Sequence, residues 1–205
     1  KIVGQITGKP LEVIVTHMHP DHAGCIKYFD KVWMHRADTV LVPQHAADYQ
    51  GEFLYMEEGQ VFDLGGRKLE VAWMPGHTPG SVVLLDKANG DCYSGDAFGS
   101  GEVWLQCVPM SPIATFHESC CRMEKLMKEG HIKDIWCGHY PYLKSSLPLA
   151  YIQTMIRISH RLMNGDQEGS EPYSNYFIKM PPTARKLAEG RAMIVYDSTN
   201  IPEAR

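Results

Sequence analysis

Between Thr16 and Gly24 the chain reads Thr-His-Met-His-Pro-Asp-His-Ala-Gly, which puts His17, His19, Asp21 and His22 within six residues. Three imidazoles and a carboxylate are donors that borderline divalent metals take up, and a tight turn at a strand end can fold them inward. Three more loops each carry one group of the same kind. His77 lies in Pro75-Gly76-His77-Thr78-Pro79-Gly80-Ser81, where glycine and proline permit unusual backbone angles. Asp96 follows Ser94-Gly95, and His139 follows Gly138. Five of the ten histidines thus gather in these loops. His35, His45, His117, His131 and His160 have no partner at ligand spacing and are read as surface or core residues.

The elements that must position these groups can be read from hydrophobic period and turn residues. Leu11 to Thr16, after Gly8-Lys9-Pro10, reads as a buried strand leading into the His-rich loop, and Lys31 to His35 as a second. Ala37 to Ala47 reads as a helix kinked at Pro43. Val61–Phe62 and Leu69–Trp73 flank Gly65-Gly66 as a hairpin, and Val82–Leu85 and Cys92–Ser94 flank Asn89-Gly90 as another. Thr115 to Glu129 has helical spacing, Ile132 to Cys137 returns to a strand, and Leu147 to Met163 is helical again. Asn164 to Ser174 reads as a polar loop and Met193 to Tyr196 as a closing strand. Every candidate ligand therefore lies at the carboxyl end of a predicted strand. The mixture suggests packed sheets with helices outside, in a single domain spanning 1–205. The metal-site core occupies about 10–142 and a helical region about 145–205.

Composition narrows the function. Hydrophobic residues are 44% and charged residues 21% of the 205, which excludes a disordered chain. Twenty basic against 24 acidic residues leave a net charge of -4, so no general field draws the protein to nucleic acid or anionic lipid. No apolar run approaches the roughly 18 residues of a membrane span, so the chain reads as soluble. Six scattered cysteines with no Cys-x-x-Cys pair read as free thiols. Cys25 and Cys137 lie near the ligand loops, but small buried cysteines usually pack, and neither is read as a ligand.

His-x-His-x-Asp-His, then Gly-His, Gly-Asp and Gly-His, in that order over about residues 10–142, resembles the signature of the metallo-β-lactamase superfamily. The resemblance implies an α+β, four-layer αββα sandwich with a dinuclear metal centre at one edge. Carried over position by position, His17, His19 and His77 would hold the first metal, Asp21, His22 and His139 the second, and Asp96 would bridge them. Asp21 and Asp96 are also the residues assigned to catalysis. Zinc is the first choice of metal, with iron or manganese also suited to the donors. Two ions sharing a hydroxide supply a nucleophile at neutral pH, so no serine or cysteine nucleophile is required. His19 stands where oxygen-reducing diiron members have Glu, which argues against that redox branch. The superfamily normally opens with a β-hairpin and an Asp-Thr-Gly turn. Only sixteen residues precede His17 here and the first is Lys1, so the sequence is expected to lack its natural N-terminus.

The implied activity is hydrolysis of a small ester, thioester or lactone, since the motifs look more like the glyoxalase II and lactonase branches than the true β-lactamases. The segment after Leu143 does not match a basic glutathione-binding segment. A phosphodiesterase or nuclease of the same fold is one alternative, and a metal-binding interaction protein without turnover is another. Specificity is expected from Phe98 to Val108 and from the region beyond Leu147, with Trp104 the leading candidate to cover substrate and Tyr140 and Tyr142 nearby. The expected partner is a small molecule, not nucleic acid or membrane. The compartment is read as cytoplasmic, and a homodimer remains open.

Overall fold

A computed structural model describes residues 2–176 and 178–202, so Lys1 lies outside the described residues. In chain order the strands are β1 (Lys31–His35), β2 (Glu52–Met56), β3 (Val61–Asp63), β4 (Lys68–Trp73), β5 (Val82–Asp86), β6 (Asp91–Gly95), β7 (Glu102–Trp104), β8 (Asp134–Cys137), β9 (Glu171–Pro172), β10 (Ala184–Glu189) and β11 (Ala192–Asp197). The helices are α1 (Ile2–Ile6), α2 (Pro20–Ala23), α3 (Val42–His45), α4 (Ile113–Lys128), α5 (Tyr140–Leu143) and α6 (Leu149–Met163).

Both predicted hairpins form, and they sit in one five-stranded sheet of order β3-β4-β5-β6-β8. Gly65 and Gly66 turn the first at φ 77° and 118°, and Gly90 turns the second at φ 78°, backbone that side chains with a Cβ resist. β8 joins β6 in parallel, so β6 and β8 end on the same side. β5 is buried along its whole length, because both faces of this central strand are covered. On one face Ala72, Met74, Val83, Leu85, Cys92 and Ile135 share a core with α4 and α6. On the other, Val71, Val82 and Leu84 pack with Met56 and Trp33.

β1 and β2 pair in parallel as a second sheet. Its pleat sends Trp33 toward the five-stranded sheet and Val32 and Met34 into a core with Val15, Met18, Ala23, Ile26 and Leu41. Helical turns, two-stranded sheet, five-stranded sheet and the α4–α6 pair therefore follow one another, the α+β sandwich expected. A third sheet, β7-β11-β10-β9, packs Leu187, Ala192, Ile194 and Tyr196 into the α4–α6 core. No helix among the described residues is long and apolar enough to cross a membrane.

Several sequence expectations need correction. Leu11 to Thr16 makes only an isolated parallel bridge, Ile14 to Trp33, and Leu11 is exposed. The Lys9-Pro10 start and the short overlap with β1 leave too few partners for a ladder. Ala37 to Ala47 is a 3₁₀ segment, Arg36–Leu41, followed by the single turn α3, with Pro43 in the first turn of α3. Proline lacks the N–H that a helix interior needs but fits a first turn, so it starts a helix there instead of kinking one. After α6 the regular structure is chiefly strand: β9 lies within the expected polar loop, β11 covers the expected closing strand, and β10 forms in a region expected as helical.

Candidate metal centre

The loops after Thr16, β4, β6 and β8 bring all seven expected residues together. Before the His-rich loop the chain is clamped on both sides: Val15 N–H donates to the Trp33 carbonyl at 2.8 Å, and Val82 N–H donates to the Thr16 carbonyl at 2.9 Å. His17 follows at once and is buried. His77 lies beyond β4 in a loop closed by Met74 N–H donating to Ser81 (2.9 Å) and Gly76 N–H donating to Thr78 (3.1 Å). β6 and β8 shift register between Tyr93 and Gly95, and Gly138 N–H donates to the Gly95 carbonyl at 2.8 Å. That bond sets Asp96 and His139 side by side. Gly138 is required by close approach, since a Cβ there would lie 2.5 Å from His22 Cε1 and 2.7 Å from Asp96 Oδ1.

The side chains form two groups. His17, His19 and His77 present ligand atoms within 4.8 Å of one another, as do Asp21, His22, Asp96 and His139. In the first group His19 Nδ1 lies 2.9 Å from His77 Nε2. In the second, Asp96 Oδ2 lies 3.0 Å from His139 Nε2 and 3.3 Å from His22 Nε2, and Asp21 Oδ2 lies 3.3 Å from His139 Nε2. Asp96 Oδ2 is also 4.0 Å from His77 Nε2, and the His17 and His22 rings are 4.2 Å apart between centroids, so the groups share a border.

The electrostatics suit cations. Burial, with neighbouring His77 next, pushes the His19 imidazole down to about 3, and burial lowers His17 and His77 in the same direction. These rings are neutral at pH 7 and keep their lone pairs. Burial alone would raise the Asp96 carboxyl, but the hydrogen bond from His139 and the nearby His22 and His77 rings hold it far below the ordinary carboxylate range. The bond to Asp96 raises His139 in turn. His17 Nε2, His22 Nε2 and Asp96 Oδ1 are buried without a hydrogen-bond partner. Three such atoms converging with neutral imidazoles and a carboxylate fit divalent metal ions, because an unpaired buried polar atom costs about 1–3 kcal/mol unless something binds it.

Residues around the site orient it, and one of them was not foreseen. Asp38 is buried and accepts from Met18 N–H (2.9 Å), Gly80 N–H (2.6 Å) and the Thr78 hydroxyl (3.0 Å). It ties the His17–His19 loop to the His77 loop. His77 Nδ1 lies 2.8 Å from the Trp104 carbonyl, the partner that fixes which ring nitrogen faces the cluster. The Trp104 ring faces Tyr173 at 6.0 Å, and its N–H donates to Glu102, so its polar edge is committed to that neighbour. Tyr142 is exposed beside His139, with 5.8 Å between ring centroids, and Tyr140 is exposed on the same short helix, α5. Two histidines set aside by spacing have close neighbours: His45 lies 5.8 Å from the His19 ring, and His117 contacts Cys121 and Ser159. Their partners come from distant segments or from one helical turn away, which loop spacing does not reveal. All six cysteines are free.

Comparison with known proteins shows the family. The sequence profile of the family described as the Metallo-beta-lactamase superfamily matches residues 3–117. The acyl-coenzyme A thioesterase MBLAC2 of Homo sapiens is 28% identical over 159 residues, covering 64% of this chain and 57% of that protein. The hydroxyacylglutathione hydrolase of Aeromonas salmonicida is 29% identical over 141 residues, covering 68% and 51%. The chain thus spans about half the length of these curated relatives. The crystal structure of TTHA1623 in a di-iron-bound form superposes with a TM-score of 0.56 at 27% identity, covering 73% of this chain and 78% of that one.

Proposed function

The chain belongs to the metallo-beta-lactamase superfamily, and from that premise we propose that it is a dinuclear metal-dependent hydrolase of small acyl compounds, with thioesters ahead of esters and lactones. The observation that carries the reading is the position of Asp96. Its Oδ2 lies within 3.0–4.0 Å of donor nitrogens from both groups, His139 and His22 on one side and His77 on the other. A carboxylate so placed can serve two ions at once.

In this reading His17, His19 and His77 would hold one ion, Asp21, His22 and His139 the other, and Asp96 would reach both. Such a pair, when bound, supplies a hydroxide at neutral pH and polarises the acyl oxygen. The chain's own residues prepare that chemistry. Burial keeps the three first-group imidazoles unprotonated, the Trp104 carbonyl and Asp38 hold the His77 loop in place, and Asp96 stays ionised through its histidine contacts. Zinc suits the donors first, and iron next. Thioesters lead because the two curated relatives carry names for removal of an acyl group from a thiol carrier.

The test is metal content together with a substrate panel. The full chain purified without chelator should carry at least two equivalents of metal. Among acyl-coenzyme A, simple ester, lactone, β-lactam and phosphodiester substrates, the thioester should give the highest kcat/KM. One equivalent, or turnover confined to the phosphodiester, would overturn the proposal.

A further inference from the structure

Away from the candidate metal centre, α4 and α6 bring a second set of soft donors together. His117 and Cys121 stand one turn apart on α4, and spacing of i to i+4 places them on one face. Cys121 Sγ lies 3.5 Å from His117 Nε2. Across the groove, α6 contributes Ser159 and His160, and the His117 and His160 rings are 6.0 Å apart between centroids. The tautomer of His117 follows from the bonds behind it. Ser159 commits its hydroxyl proton to the Met155 carbonyl at 2.7 Å, so its oxygen accepts from His117 Nδ1–H at 2.9 Å. The lone pair of His117 Nε2 is thereby aimed at Cys121. This is how a metal-binding histidine is oriented, with the far nitrogen pinned and the near one open.

We propose that Cys121, His117 and His160 form a second, thiolate-containing site for a zinc-class divalent ion that clamps α4 to α6. A sulfur at about 2.3 Å and an imidazole nitrogen at about 2.0–2.1 Å from one tetrahedral ion lie about 3.5 Å apart, which is the separation found between Cys121 and His117. His160 is exposed, and its ring nitrogens lie 3.3 and 3.4 Å from the amide of Asn164, one turn on in the same segment. In the proposed site its ring turns about its side-chain torsions to become the third donor, with solvent as the fourth. Burial and the nearby Glu124 and Glu118 keep the proton on the free thiol. Binding therefore releases that proton to solvent, and a thiolate, two imidazole ligands and M²⁺ make a complex of net charge +1.

Cobalt(II) tests this independently of the proposed hydrolase, because the seven residues of the candidate centre include no cysteine and only a thiolate gives an intense sulfur-to-cobalt band in the near ultraviolet. The full chain, freed of bound metal, is titrated with Co²⁺. The band should grow to saturation at one thiolate site per chain, vanish in Cys121→Ser, and persist in Cys107→Ser. His160→Ala, a surface change that leaves the helix intact, should weaken the cobalt affinity read from the band at least tenfold. Absence of the band, survival in Cys121→Ser, loss in Cys107→Ser, or unchanged affinity in His160→Ala would overturn the proposal.

Discussion

Asp38 is the point at which fold and site depend most directly on one side chain. Replacing it with alanine removes the acceptor for the Met18 and Gly80 N–H groups, both in the buried seam between the two histidine loops. Thr78 is less affected, because its hydroxyl also lies 2.9 Å from Ser81 Oγ. Two orphaned buried donors at about 1–3 kcal/mol each give a loss of about 2–6 kcal/mol. That is a large share of the roughly 5–15 kcal/mol that holds a typical domain folded. Asp38→Asn should cost less. An amide oxygen in the Oδ2 position keeps Met18 and Thr78, but the amide NH₂ then faces the Gly80 N–H, for about 1–3 kcal/mol. The ranking wild type, Asn, Ala should appear in urea midpoints. Chelator competition on Asp38→Asn should show metal affinity about 10–100-fold weaker, since Met18 separates His17 from His19 and Gly80 lies in the His77 loop. An alanine variant within about 0.5 kcal/mol of wild type and with undiminished metal affinity would refute the tethering role.

Asp96→Ala should lower hydrolytic activity by more than the roughly 10–100-fold typical of losing an orienting partner, while the exposed control Lys68→Ala stays near wild type, as initial-rate assays would show. Gly138→Ala should fold yet lose metal from the Asp21–His22–His139 group, because the new methyl collides with His22 and Asp96; elemental analysis beside circular dichroism separates the two effects. Arg161 hydrogen-bonds the Asp166 carboxyl and holds it down to about 2, below its ordinary 3.8. A depressed folded-state value means the stabilisation is present above about 3.8 and fades as pH falls toward 2. Asp166→Asn should therefore differ from wild type in thermal midpoint at pH 7 and converge with it near pH 2.

The ligand loops were legible because each announces itself locally: histidine or aspartate beside a turn-forming glycine, at the end of an apolar run. The hairpins were legible for the same reason, through Gly65-Gly66 and Asn89-Gly90. Asp38 left no such mark, since its partners Met18 and Gly80 lie 20 and 42 residues away and only folding brings them together. β10 was missed because its buried residues, Ala184 and Leu187, are three apart, a spacing that does not alternate as a half-buried strand should. β2 pairs only with β1, and most of its residues are just half-buried, so its sequence Glu-Phe-Leu-Tyr-Met carries no clean period either. Leu11 to Thr16 failed the other way: an apolar run promised a ladder, and Ile14 makes only an isolated bridge.

We propose that these seven residues hold two metal ions with Asp96 between them. Anomalous diffraction at the metal's absorption edge, on crystals of the full chain grown without chelator, tests it most directly. One peak is expected among His17, His19 and His77, a second among Asp21, His22 and His139, and Asp96 in contact with both. A single peak in this region, or two peaks with Asp96 touching neither, would contradict it.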